Sequence, residues 1–96
     1  MNRLALLTIT TIGLVVLSPL VMAQGKDLHE ASCLQCHASL TGGKPTSLYT
    51  RADRKVTTFA SLQQRVKGCA IAADANWSDA ERESVVQYLG TTFYGF

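Results

Sequence analysis

The sequence predicts an all-α domain, and three observations carry that reading. Ser78-Asp79-Ala80-Glu81 is a capping box: the serine hydroxyl and the glutamate carboxylate each satisfy a backbone N–H left orphaned at a helix start. Phe59, Leu62 and Val66 fall at i, i+3 and i+7, the spacing of one helix face. No run sustains the apolar–polar alternation of a half-buried strand.

The elements follow in order. Arg3 supplies a positive start, Leu4 to Leu17 is mostly apolar, Pro19 interrupts it, and Val21-Met22-Ala23 offers small residues at a cleavage position. Residues 1–23 therefore read as a secretory signal peptide and residues 24–96 as the domain. The competing reading is a retained membrane anchor, since Leu4 to Ala23 is about long enough to span a bilayer. Gly25 to Cys36 reads as a short helix with Leu28, Ala31, Cys33 and Cys36 on one side and His29 and Glu30 toward water. Thr41-Gly42-Gly43-Lys44-Pro45-Thr46 is a loop by composition, and Leu48 to Lys55 is irregular. Thr57 or Thr58 caps the middle helix, which Gly68 is expected to end. In the last helix Val85, Tyr88 and Leu89 share a face and Gly90 is the expected stop. The aromatic tail Phe93-Tyr94-Gly95-Phe96 is expected to pack.

Composition narrows the function. The 96 residues allow one small domain, and a formal charge of +2 with no basic run excludes a nucleic-acid binder. Asp74, Asp79, Glu81 and Glu83 show no paired-acid geometry, and nothing supports Ser/His/Asp catalysis.

The chemistry concentrates in Cys33-Leu34-Gln35-Cys36-His37. Two thiols three positions apart, followed directly by an imidazole, form the pattern of c-type haem attachment. On a helical turn both sulfurs point the same way, toward two vinyl groups of one haem, and His37 lies under the iron as axial ligand. A zinc site would need a second pair of ligands at metal spacing, and none follows. A redox dithiol would need a βαβ pattern around it. A domain of roughly 70 residues has a marginal core, and a covalently held haem would fill it. Export agrees, because c-type haem is attached outside the bacterial cytoplasm.

A short helix leading into Cys33-x-x-Cys36-His37, a loop, a middle helix and a last helix ending in Val85-Val86-Gln87-Tyr88-Leu89 resembles the small class I cytochromes c. The resemblance implies a small cytochrome c fold wrapped around one covalent haem c, with first and last helices crossing so that Leu28 and Ala31 meet Val85 and Leu89. Carriers of that family mostly place methionine on the far side of the iron. Here the only methionines are Met1 and Met22, both in the segment expected to be removed. Cys69, ahead of Trp77 and the last helix, is the candidate replacement, since a thiolate is a strong soft donor to haem iron. Val66-Lys67-Gly68-Cys69, with Trp77 and the closing aromatics, looks similar to exported monohaem cytochromes in which His/Cys ligation is suspected. A buried inert thiol and an intermolecular disulfide compete for Cys69. His29, Lys67 and Asn76 are rival distal ligands. Arg51, Arg54 and Lys55 are candidates to pair with haem propionates, and Trp77, Phe59 and Tyr49 to wall the haem.

These residues lead to a periplasmic monohaem electron carrier, with Cys33 and Cys36 holding the porphyrin and His37 and Cys69 on the iron. Its partners would be redox proteins in the periplasm or at the membrane, with no membrane span after cleavage. The alternative is binding or sensing of a small gas such as NO, CO or oxygen. A weaker third reading is an enzyme subunit in sulfur-compound oxidation.

Overall fold

The computed structural model describes residues 19–96, so the expected signal segment lies mostly outside the described residues. Five helices follow in order: α1 (Pro19–Ser32), α2 (Leu34–Leu40), α3 (Ser47–Thr50), α4 (Phe59–Ala72) and α5 (Asp79–Leu89), the last running into a π-helical turn over Gly90–Tyr94. Among the described residues there is no strand, and no helix is long and apolar enough to cross a membrane.

The most extensive contact joins α1 to α5. Gly25 is buried where the two helices cross, and a Cβ there would run into the Ser84 carbonyl oxygen and the Tyr88 Cβ. Ser84 is small enough for this approach, and its buried hydroxyl donates to the Glu81 carbonyl at 2.7 Å. The face of α1 toward α5 therefore runs through Gly25, Leu28 and His29. Leu28 packs on the core as expected, but Ala31 is out of phase with that face and exposed. His29, expected in water, is 1 % exposed.

The helix expected from Gly25 to Cys36 starts earlier and bends at Cys33, where φ is −113°. Helical bonding persists through the bend: the Cys33 N–H donates to the His29 carbonyl (2.9 Å) and the His37 N–H to the Cys33 carbonyl (3.2 Å). The loop after α2 needs its glycines, since Gly42 and Gly43 have φ of 65° and 92°. Thr41 ties that loop down by donating its hydroxyl to the His37 carbonyl at 2.7 Å.

Thr58 caps α4 as one of the two expected threonines, with Ser61 completing the box in place of an acid. Gly68 does not end this helix. An interior glycine costs only about 1 kcal/mol relative to alanine, and the chain carries on to Ala72. The stop is Asp74, at φ 57°, where the Ala75 N–H donates to the Ala70 carbonyl and the Asp74 N–H to the Ile71 carbonyl. That is a Schellman end made with aspartate. Cys69 thus lies inside the helix rather than at its end.

The Ser78/Glu81 capping box forms as read, with bonds of 2.8 and 3.1 Å. Gly90 keeps helical dihedrals and is not the stop; the chain turns out at Gly95 (φ 78°), whose N–H reaches the Gly90 carbonyl at 2.8 Å. The wider turn brings Phe93 and Tyr94 over Tyr49, with ring centroids 5.3 and 5.7 Å away. The core joins Tyr49, Val56, Leu62, Val66, Val85, Val86, Tyr88 and Leu89.

The α1–α5 crossing yields a stability test. Gly25→Val gains a few tenths of a kcal/mol of helix propensity, roughly the Gly–Val difference, but forces two backbones apart, and overpacking costs about 1–3 kcal/mol. A net loss is expected, read as a lower Tm of the purified protein; an unchanged Tm would mean the crossing tolerates a side chain.

Candidate haem site

The bend at Cys33 turns the two halves of the motif toward one space. Cys33 and His37 line a partly open cavity of about 40 Å³, more than one water needs. Its apolar walls come from Leu62 and Val66 of α4, Val85 and Leu89 of α5, and Trp77 between them. Cys69 lines the same cavity from α4. An open cleft continues outward past Cys33, Cys36, His37 and Cys69, with Leu40, Ala72 and Ala73 at its sides. All four residues singled out from the sequence thus meet at one opening. The three cysteines carry free thiols: Cys33 and Cys69 are half-buried and Cys36 exposed.

Behind His37 lies a hydrogen-bonded chain. The Tyr49 hydroxyl is 2.8 Å from His37 Nδ1 and 2.7 Å from His29 Nε2. His29 Nδ1 is buried with no partner among the described residues. Tyr49 is 5 % exposed and arrives on α3, which the loop tied to His37 delivers.

Burial dominates the electrostatics. It pushes the Cys33 thiol up to about 11, with Cys69 and Cys36 adding to the rise. It raises Tyr49 well above the ordinary phenol range, helped by Cys33. It lowers His37, an effect partly offset by a hydrogen bond with the Pro45 backbone. It lowers His29 to about 4, and the nearby His37 lowers it further. At neutral pH the chain of rings is uncharged.

The rival ligands fare differently. His29 faces the cavity, but from behind His37 and with Nε2 taken by Tyr49. Lys67 and Asn76 line separate surface grooves. Met22 packs against the core and does not line the cavity. Of the expected wall residues, Trp77 and Tyr49 line it, whereas Phe59 does not and packs against Phe96 instead. Arg51 pairs with Asp53 at 3.2 Å, Lys55 lines an outer groove, and Arg54 keeps a buried Nε without a partner among the described residues. Arg65, which sequence reasoning missed, lines the cavity. It falls three residues after Leu62 and four before Cys69, and that spacing was the available signal.

The residues fit a haem. Among the described residues no three His, Cys, Asp or Glu side chains gather as for a bare ion. Instead an imidazole with Nδ1 engaged by Tyr49 lines an apolar slot beside two thiols at attachment spacing. Arg65 and the unpartnered Arg54 Nε stand near Tyr94, whose hydroxyl both cations favour in its ionised form against the effect of burial.

The buried His29 predicts a pH dependence. Its folded-state value of about 4 lies below the ordinary 6.5, so on acidification the unfolded chain takes the proton first. Stability is complete above pH 6.5 and falls as pH drops toward 4, by an amount on the order of 3 kcal/mol. Urea unfolding across that window should show the loss in the wild type and a much shallower slope in His29→Phe.

Comparison with known proteins comes to one finding. Neither the curated proteins nor the solved structures gave a match. A family model described as cytochrome c oxidase, cbb3-type, subunit III matches residues 21–89, spanning α1 to the end of α5. Taken with the all-α fold and the cavity, that match makes the chain a member of this family: a small c-type cytochrome domain that binds haem c covalently and carries electrons on its iron.

Proposed function

We propose that the chain is an exported, periplasmic monohaem carrier whose domain is residues 24–96. In this reading Cys33 and Cys36 hold the porphyrin through thioethers, His37 gives Nε2 to the iron, and Cys69 is the distal ligand. The observation that carries it is the meeting of Cys33, Cys36, His37 and Cys69 at one cleft. Export is supported by the basic, apolar and small-residue pattern of residues 1–23.

When bound, haem supplies a one-electron Fe(III)/Fe(II) couple. The chain's part is to fix and shield that group. Leu62, Val66, Val85 and Leu89 exclude water from one side. The Tyr49 bond occupies His37 Nδ1, so Nε2 is the nitrogen this ring would give to the iron. Cys69 approaches from α4, and an anionic thiolate there favours Fe(III), placing the potential below that of a methionine-ligated carrier. Arg54 and Arg65 offer guanidinium groups to the propionates. Redox proteins of the same compartment or of the membrane surface are the partners.

Absorption and low-temperature EPR spectra of the ferric protein test this, with Cys69→Ala alongside. Covalent haem should be retained in both, and a low-spin thiolate signature should vanish in the variant. An unchanged variant spectrum would remove Cys69 from the iron, and a high-spin wild type that binds CO on reduction would favour gas binding.

A further inference from the structure

We propose that Tyr49, backed by the buried His29, is the positioning residue that holds the His37 ring and sets how strongly it donates to the iron. The inference rests on the reading of His37 as the proximal ligand and goes beyond it to residues outside the attachment motif.

The proton order follows from chemistry. A neutral imidazole that gives Nε2 to a metal keeps its proton on Nδ1. That N–H donates to the Tyr49 oxygen 2.8 Å away. The Tyr49 hydroxyl has one proton, and the other nitrogen within reach, His29 Nε2 at 2.7 Å, accepts it. His29 must then carry its own proton on Nδ1, the atom that is buried without a partner.

That orphaned N–H is what singles out the arrangement. His29 packs from α1 against Tyr49 and Tyr88, with ring centroids 5.6 and 5.7 Å away, and is buried at the cost of leaving its own Nδ1 without a partner among the described residues. A buried unsatisfied group calls for a compensating role, and among the described residues the one bond His29 makes with its ring is to Tyr49. A phenol that gives its proton away has a more electron-rich oxygen, because hydrogen bonds in a chain polarise one another. Such an oxygen pulls on the His37 N–H and makes the ring a stronger donor, as carboxylates and carbonyls do for other metal-bound histidines. Stronger donation favours Fe(III) and lowers the potential.

One competitor stands beside this chain, the Pro45 backbone, which also hydrogen-bonds the His37 ring. The two acceptors predict different outcomes, because only one depends on a side chain.

The test is the midpoint potential of the full-length holoprotein, measured by spectroelectrochemistry in wild type, Tyr49→Phe, His29→Phe, His29→Gln and the Tyr49→Phe/His29→Phe double variant. Tyr49→Phe should raise the midpoint, with a tenfold change in the redox equilibrium corresponding to about 59 mV for one electron. His29→Phe should raise it less, and the double variant no more than Tyr49→Phe alone, since both act through one bond. Glutamine at position 29 offers a carbonyl acceptor and should bring the midpoint back toward wild type. A Tyr49→Phe midpoint equal to wild type would overturn the proposal in favour of the Pro45 carbonyl. Additive shifts would overturn it in favour of separate packing effects. A wild type lacking covalent low-spin haem would instead remove the function reading, and this inference with it.

Discussion

The architecture depends on the close approach of α1 and α5. Gly25 brings the backbone of α1 against the Ser84 carbonyl, and this is the most extensive contact between elements among the described residues. The approach sets the position of everything that follows on α1: His29 one turn later, then the bend at Cys33, then His37. On the other helix it fixes Val85 and Leu89 as cavity walls and Tyr88 beside His29. A contact between elements far apart in sequence thereby places a motif whose residues are adjacent in sequence.

Around that frame the aromatic residues act as a second layer. Tyr49 touches His29, His37, Phe93 and Tyr94, so a single ring links the first helix, the attachment motif and the π-turn. Its hydroxyl spans the two histidines while its face packs on the tail. Polar and apolar functions are divided between the tip and the body of one side chain, as is common for tyrosine in a small core.

Much of this was legible in the sequence, for reasons that can be named. The Ser78/Glu81 box is a local code, where spacing alone fixes geometry, and it forms as read; the Cys33-x-x-Cys36-His37 spacing likewise brings its three side chains to one cleft. The helix class and the crossing of the first and last helices also came through, the latter by resemblance to a family whose fold is the same. What failed was conditional on tertiary contact. His29 has the polarity of a surface residue, and only the crossing helix and Tyr49 make its burial tolerable. Gly68 and Gly90 look like stops, yet a glycine ends a helix only where the backbone adopts a left-handed turn, and here Asp74 and Gly95 do so. Arg65 is an exposed residue on a helix, and its place at the cavity appears only once α4 is set against α5.

The Schellman end of α4 has a consequence for Cys69. Because two carbonyl bonds close the helix beyond it, the backbone under this thiol cannot swing as a loop would. Its sulfur moves only by turning about its own side-chain torsion. Any change of charge beside that sulfur therefore meets a helical backbone closed by hydrogen bonds rather than a free loop.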